Sequence, residues 1–294
     1  MCRWNAYYGQ PVLIDELLFK TQHSLIDQSL HSTMGVETTN GDGFGVGWYR
    51  SGDGGAPGRY RSVTPAWSDT NLRDIASQIE SPLFLAHIRA TTGTPVQQTN
   101  CHPFRHGRWL FVHNGVINGF QDMRRDLLYA VDSSLFDGIA GSTDSEALFY
   151  LALTFGLEDD PLGAVEQAVG FVEAAGRAQG VENPVQMTLG FSDGERLYAV
   201  RYSTEHRSRT LFVSEDIESV RALHPDNARF KRMTDEDRVV VSEPVSDLPG
   251  VWREVPESTA LIIQRGPDEQ REFHPRAPSD ARAAPPRSDV LAAR

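Results

Sequence analysis

Cys2 is the residue whose type and position most directly suggest chemistry, because it immediately follows the initiator methionine. Loss of Met1, which a small second residue tolerates, would leave a thiol and a free α-amino group on one residue. With a pKa of about 8.5 for the thiol and about 7.7–8.0 for the amine, this residue would combine a nucleophile with a base poised near neutral pH. The alternative interpretation is a small hydrophobic side chain near the end of a strand.

Three further positions carry polar groups suited to an amino-acid ligand. Arg89 stands where an apolar run ends, and a guanidinium binds a carboxylate through two parallel hydrogen bonds, although an isolated arginine also forms surface ion pairs. Asn114 and Gly115 follow a second apolar run and offer an amide and a backbone N–H for an oxyanion, or else form a hairpin turn. Asp144 lies at a predicted helix start, where a carboxylate either caps the helix or binds an ammonium group.

The histidines and glycines do not predict a metal or phosphate site. His102, His106 and His113 lie close in sequence, but Pro103 and Gly107 disfavour a helix that would bring the first two onto one face. The glycines of residues 41–47 alternate with other residues and so do not match the spacing of a phosphate-binding loop. Such alternation instead leaves one face of a strand bare, so that another segment can pack closely against it.

Composition narrows the class of protein further. The 294 residues carry a formal net charge of −12, which argues against a nucleic-acid partner. No apolar run approaches the roughly 20 residues that span a bilayer, so we expect no membrane partner and a cytoplasmic location. The two cysteines, Cys2 and Cys101, cannot form a disulfide framework; a bridge between them is conceivable, but the sequence gives no geometry for it.

The order of the predicted elements favours one α+β domain with two antiparallel sheets and a layer of helices. A Thr143-x-x-Glu146 capping box precedes one of the helices. The last twenty residues are rich in proline, alanine and arginine, so we expect a domain over residues 2–265 and a disordered tail over residues 266–294. The predicted strands are 3–8, 44–49, 83–89, 109–113, 185–191, 195–202, 210–214, 238–243 and 259–264, and the predicted helices are two within 12–30, then 69–80, 120–131, one after Thr143, and 162–179.

Five motifs in a fixed order are more specific than any one of them. They are Met-Cys-Arg at residue 1, Ala-His-Ile-Arg at 86–89, Asn-Cys-His-Pro-Phe at 100–104, His-Asn-Gly at 113–115 and Ser-Thr-Asp-Ser-Glu at 142–146. This set resembles the class II glutamine amidotransferases, whose glutaminase domain is an N-terminal-nucleophile (Ntn) hydrolase. The resemblance covers roughly residues 2–265.

The resemblance implies a four-layer αββα sandwich and a complete set of roles. Cys2 would attack the side-chain amide of glutamine or of a γ-glutamyl amide, with its own α-amino group carrying the proton. Asn114 and Gly115 would stabilise the oxyanion. Arg89 would bind the α-carboxylate of the substrate, and Asp144 would bind its α-ammonium. No cofactor and no metal are implied.

Two departures from the family pattern bear on the substrate. Larger members have a tryptophan directly after the arginine and a longer segment before the next glycine, whereas here Ala90 follows and Gly93 is only four residues on, which leaves any role of Thr91 or Thr92 open. No synthase domain follows residue 265. We therefore expect a stand-alone hydrolase like the γ-glutamyl hydrolases of ergothioneine biosynthesis, with a glutaminase subunit of a separate synthase, or a non-catalytic glutamyl-binding protein, as alternatives.

Overall fold

The structure, a computed structural model, describes residues 2–30, 39–52, 55–91, 93–223, 225–226, 231 and 233–278. Its strands are β1 (Arg3–Leu13), β2 (Phe44–Tyr49), β3 (Gly58–Ser62), β4 (Glu80–Ile88), β5 (Phe104–His106), β6 (Trp109–Ile117), β7 (Val185–Ser192), β8 (Leu197–Ser203), β9 (Phe212–Ser214), β10 (Arg238–Val241), β11 (Trp252–Glu254), β12 (Thr259–Ile263) and β13 (Glu269–Glu272). Its helices are α1 (Asp15–Leu18), α2 (Leu25–Leu30), α3 (Thr70–Ala76), α4 (Phe120–Tyr129), α5 (Ser133–Phe136), α6 (Asp144–Thr154), α7 (Pro161–Ala178) and α8 (Ile217–Leu223).

These elements form four layers. One sheet has the strand order β11-β9-β10-β1-β4-β2-β3 and the other has the order β13-β12-β8-β7-β6-β5, and their pairings are antiparallel. A core that includes Trp4, Leu85 and Val112 fills the space between the sheets. Helices α1–α3 cover the outer face of the first sheet, and α4, α6 and α7 cover that of the second. The predicted αββα sandwich is confirmed.

The alternating glycines of β2 let the two sheets approach closely at one edge. Phe44 and Val46 face the helices, whereas Gly45 and Gly47 face the second sheet. A Cβ atom on Gly45 would lie 2.2 Å from the carbonyl oxygen of His102, and one on Gly47 would lie 2.8 Å from Leu110. The bare strand face that the sequence predicts is therefore occupied by the segment that leads into β5.

The helix of the predicted capping box begins as expected, but only half of the box forms. The Thr143 hydroxyl accepts a hydrogen bond from the Glu146 N–H at 3.1 Å, which caps α6. The Glu146 carboxylate instead accepts from the backbone N–H groups of Ala140 and Gly141, at 3.1 and 2.6 Å. It thereby fixes the loop before the helix rather than returning to the cap residue.

At two places strands extend further than the sequence predicts. Asn114 and Gly115 do not form a turn; they lie inside β6, opposite Thr188 and Met187 of β7. The predicted tail is also partly a strand, because β13 pairs with β12 beyond residue 265. Phe273 is buried just after it, which anchors this end of the chain, while residues 279–294 lie outside the described part.

None of the helices in the described ranges combines the length and the apolar character needed to cross a bilayer.

Candidate active site

Cys2 and Arg89 meet at one end of the first sheet. Strands β1 and β4 pair with Arg3 opposite Ile88, so Cys2 and Arg89 are the next pair in register. The Cys2 thiol lies 3.4 Å from both the N–H and the carbonyl oxygen of Ala90, which directly follows the arginine. Trp4 and Leu85 point into the space between the sheets. Cys2 is two residues from Trp4 and Arg89 is four residues from Leu85, so both lie on the same face of the sheet as these residues.

Arg89 is a buried cation without a carboxylate partner in the described part of the chain. Its side chain is only 3% exposed, and it makes no ion pair with any described residue. One terminal nitrogen donates to the hydroxyls of Thr94 and Thr91, at 2.6 and 3.1 Å, and to the Pro95 carbonyl oxygen at 3.2 Å. Thr91, whose role the sequence left open, therefore helps to hold the guanidinium, while Thr92 lies outside the described residues.

Asn114 and Gly115 come from the second sheet and face the same end of the sandwich. Leu110 and Val112 point between the sheets, so Asn114, two residues further along β6, has the same direction. The Asn114 carbonyl oxygen accepts from Thr188 at 3.5 Å, and that hydroxyl in turn accepts from the Trp4 indole at 3.0 Å. This chain of hydrogen bonds connects β6 to the strand that carries Cys2.

The N–H of Gly115 points to an open edge of β6. Pairing between β5 and β6 runs only from Trp109 to Phe111, which leaves the following residues without a strand on that side. The Ile117 N–H bonds to a side chain on this edge, and in an antiparallel strand the N–H two residues earlier has the same direction. A Cβ on Gly115 would lie 2.0 Å from the Gln186 carbonyl oxygen, so the position also requires glycine for close packing.

Asp144 lies at the first turn of α6 and contacts this open edge. One carboxylate oxygen accepts from the Ile117 N–H at 2.8 Å, and the other accepts from the Ser145 N–H at 2.8 Å and hydroxyl at 3.2 Å. Ile117 is two residues beyond Gly115, which corresponds to ~7 Å along a strand. Asp144 makes no ion pair within the part of the chain that the structure describes.

The charges of Arg89 and Asp144 both affect the pKa of the Cys2 thiol. Burial raises the pKa of the Cys2 thiol; the hydrogen bond from Ala90 and the positive charge of Arg89 act against this, and the negative charge of Asp144 adds to it. Cys2 and Cys101 are both free thiols, and Cys101 donates to the carbonyl oxygens of Ser62 and Gln97. No imidazole among the described residues makes a hydrogen bond to the Cys2 sulfur.

Three buried histidines pack beneath the site. The rings of His87 and His102 lie 4.1 Å apart, His87 Nε2 donates to the His113 carbonyl oxygen at 3.2 Å, and His113 Nδ1 bonds to the Ser145 hydroxyl at 2.8 Å. Burial lowers the pKa of each, to about 3 for His87, and the charge of Arg89 further lowers those of His87 and His102. Burial therefore favours the neutral form of each ring.

Across the described ranges, no three His, Cys, Asp or Glu side chains are arranged to hold a metal ion. Among the described residues, both ring nitrogens of His102 lack a hydrogen-bond partner, as does Nδ1 of His87. The cluster acts as packing between the sheets.

A cavity of about 730 Å³ lies at the opposite end of the sandwich. It is bounded by Tyr8 on β1, Tyr49 at the end of β2 and Gly194 in the turn between β7 and β8. Tyr8 is six residues from Cys2, which corresponds to ~20 Å along the strand. Despite its size, this cavity is not part of the candidate active site.

The structure thus brings the predicted site residues to one end of the sandwich, and it adds residues that the sequence did not assign. Thr94 and Pro95 hold Arg89, and Ala90 contacts the Cys2 thiol. Asn100, fully buried, contacts the loop on each side of the site. Its place in the Asn-Cys-His-Pro-Phe motif was the one sequence signal for any of these residues.

Most of this chain matches a known family. The family model described as "Glutamine amidotransferases class-II" matches residues 19–286. The chain belongs to the class II glutamine amidotransferases, enzymes that act on the carbon–nitrogen bond of an amide, and the resemblance stated from the sequence is confirmed.

Three individual proteins of known name are similar to this chain over most of its length. The chain is 30% identical to the probable glutamine amidotransferase DUG3 of Saccharomyces cerevisiae, over 90% of this chain and 82% of that protein. It is 29% identical to the γ-glutamyl-hercynylcysteine sulfoxide hydrolase of Mycolicibacterium smegmatis, over 90% of this chain and 96% of that protein. A solved glutamine aminotransferase class-II domain protein from Silicibacter pomeroyi superposes with a TM-score of 0.71 at 33% identity, over 93% of this chain and 99% of that one.

Proposed function

We propose that the protein is a stand-alone amidohydrolase in which Cys2, freed of Met1, attacks the side-chain amide of glutamine or of a γ-glutamyl amide and releases glutamate. The observation that carries this proposal is the buried guanidinium of Arg89, which lies next to Cys2 in register and has no carboxylate partner among the described residues. An uncompensated buried charge is costly, so such a site favours a ligand that brings an anion. The α-carboxylate of a glutamyl group would supply it.

The second charge of the ligand matches Asp144. A glutamyl head group carries an α-ammonium beside its α-carboxylate, and Asp144 has no cation partner in the described ranges. The two carboxylate oxygens already accept hydrogen bonds from Ile117 and Ser145, which fix the direction of the carboxylate. A zwitterion would therefore find a fixed cation at one side and a fixed anion at the other.

The chemistry follows from the groups around the Cys2 sulfur. The thiolate adds to the side-chain carbonyl carbon, and the negative oxygen that forms is stabilised by the Asn114 amide and the Gly115 N–H. Collapse of this intermediate breaks the carbon–nitrogen bond, and the amine leaves after taking up a proton. Water then hydrolyses the thioester, which yields glutamate and restores the thiol.

The base that activates Cys2 is its own α-amino group. Burial raises the pKa of the Cys2 thiol, which disfavours the thiolate, so a base beside the sulfur would assist its attack. The buried histidines are poor bases, with His87 at a pKa of about 3, and none bonds to the sulfur within the described residues. An α-amine with a pKa of about 7.7–8.0 suits the task near neutral pH.

Two versions of this function differ in what happens to the leaving group after the carbon–nitrogen bond breaks. Similarity over nearly the whole chain to a protein named as a γ-glutamyl-hercynylcysteine sulfoxide hydrolase supports a γ-glutamyl amide whose amine is simply released. The alternative, in which ammonia passes to a separate synthase chain, uses the same Cys2 chemistry. It predicts weak turnover alone and stimulation by a partner.

The direct test is glutamate release from glutamine and from a panel of γ-glutamyl amides by the wild-type and Cys2→Ala proteins. We expect the substitution to abolish release of glutamate from every substrate, because it removes the nucleophile. Intact mass spectrometry of the wild-type protein should show that Met1 has been lost.

The matched control is Cys101→Ser, which removes the second thiol but keeps a donor for the Ser62 carbonyl oxygen. This variant should retain the wild-type rate. Unchanged release by Cys2→Ala, or an active protein that keeps Met1, would contradict the proposal.

A further inference from the structure

Asn100 is a buried side chain whose four hydrogen bonds are all made within the protein. Its side-chain nitrogen donates to the Pro95 carbonyl oxygen at 3.0 Å and to the Ser142 hydroxyl at 3.3 Å. Its oxygen accepts from the Ser142 N–H at 2.8 Å and from the Gln97 amide at 3.2 Å. A primary amide has two donors and an acceptor oxygen with two lone pairs, so the full hydrogen-bonding capacity of this buried side chain is satisfied.

One side of Asn100 holds the segment that positions Arg89. The Pro95 carbonyl oxygen accepts from both the Asn100 amide, at 3.0 Å, and the Arg89 guanidinium, at 3.2 Å. The neighbouring Thr94 hydroxyl makes the shortest contact to Arg89, at 2.6 Å. Movement of residues 94–95 would therefore move the acceptors on which the guanidinium rests.

The other side of Asn100 holds the loop that leads to Asp144. Both the N–H and the hydroxyl of Ser142 bond to the amide, and Ser142 lies two residues before Asp144. The next residue, Thr143, caps α6 and so fixes where that helix begins. Asn100 thus connects the segment beside Arg89 with the loop beside Asp144, and Ser142 in that loop lies 42 residues from Asn100 in sequence.

We infer that Asn100 is a positioning residue that sets the separation between Arg89 and Asp144, so that the site selects ligands carrying an α-carboxylate and an α-ammonium together. This inference rests on the proposed function, since it assigns both charges to one glutamyl head group. The amide suits the role because it must donate to a main-chain carbonyl on one side and accept from a main-chain N–H on the other. A carboxylate has no donor for the carbonyl, and a hydroxyl has a single O–H and cannot make the two donations to Pro95 and Ser142.

The test compares two ligands that differ only in the ammonium group. Binding of L-glutamate and of glutarate is measured by calorimetry for the wild-type protein and for Asn100→Ala. We expect Asn100→Ala to raise the Kd for glutamate about tenfold or more, because displacements near 1 Å already weaken bidentate recognition strongly. The Kd for glutarate should change less than about twofold, because glutarate does not use Asp144 and can follow a displaced Arg89, so the separation between the two charges does not affect it.

Gln98→Ala is the matched control, because Gln98 lies in the same short turn but bonds outward to the Arg61 carbonyl oxygen. It should bind both ligands as the wild type does. If Asn100→Ala does not fold, Asn100→Asp is used, which keeps the acceptor for Ser142 but loses the donor to Pro95. Equal loss of affinity for the two ligands, or unchanged affinity for glutamate, would overturn the inference.

The binding test of Asn100 and the test of the proposed hydrolysis can fail independently of each other. Asn100-dependent glutamate binding by a protein that releases no glutamate would refute the hydrolysis and leave the positioning role standing. If glutamate release depends on Cys2 but Asn100→Ala weakens binding of glutamate and glutarate equally, the hydrolysis stands and the positioning role is refuted. A wild-type protein that does not bind glutamate would overturn the positioning role directly.

Discussion

Replacement of His102 by leucine is expected to make the protein less sensitive to acid. Both ring nitrogens of His102 are buried without a hydrogen-bond partner among the described residues, and the centre of its ring lies 4.1 Å from that of His87 and 4.4 Å from that of Phe104. Burial, with the positive charges of nearby groups, holds the pKa of His102 well below its usual value. Leucine is apolar, similar in volume and does not titrate, so it removes this group without opening a large cavity.

The sign and size of the effect follow from proton linkage. Below pH 6.5 the unfolded chain binds a proton at residue 102 that the folded protein does not bind, so the wild-type free energy of unfolding falls as the pH falls. With an unfolded pKa of about 6.5, lowering the pH from 7.5 to 5.5 costs the wild type about 1.4 kcal/mol through this one group. The histidines at 87 and 113 titrate in both proteins, so their contributions cancel in the difference.

Urea unfolding at pH 7.5 and 5.5 measures this difference. Between these two conditions the free energy of unfolding of His102→Leu, relative to wild type, should rise by about 1.4 kcal/mol. His274→Gln is the control, because the ring of His274 is well exposed, and it should follow the wild type. If the difference between His102→Leu and wild type is the same at both pH values, the conclusion that this histidine is held neutral is wrong.

Two further substitutions test the oxyanion site and the contact between the sheets. Asn114→Ala should lower kcat for glutamate release about 10²–10³-fold with little effect on KM, as steady-state kinetics will measure, whereas Asn118→Ala, at the end of the same strand region, should not. Gly45→Ala should reduce the free energy of unfolding by about 2 kcal/mol, because its Cβ would lie 2.2 Å from the His102 carbonyl oxygen. Gly41→Ala, which meets only the end of a side chain, should cost less in the same urea titration, and equal costs would contradict this account.

The parts of the site that could be predicted from the sequence are those with local signals. Thr143 caps α6 through a contact to a residue three positions away, and such a contact is visible in a short stretch of sequence. Arg89 follows an apolar run, and it lies one residue beyond the end of β4. The position of Cys2 needs no folding information at all.

Other parts depend on partners that are distant in sequence. The Asn-Gly pair at 114–115 favours a turn locally, yet pairing with Thr188 and Met187 extends the strand through it. The edge strands β3 and β13 carry few buried apolar side chains, so no alternation marks them, and they exist because a neighbouring strand offers hydrogen bonds. The role of Asn100 is hidden for the same reason, since one of its partners lies 42 residues away.

The burial of Arg89, which has no counterion among the residues that the structure describes, also explains why histidines can pack beneath the site. Protonation of His87 or His102 would place a second positive charge near the guanidinium in a region with little water, and Arg89 itself lowers the pKa of both rings. Neutral rings fill the gap between the sheets and do not compete for an anion. A carboxylate next to Cys2 then meets the positive charge of the Arg89 guanidinium. Because Thr94 and Pro95 hold this guanidinium in place, the fold fixes its orientation as well as its charge.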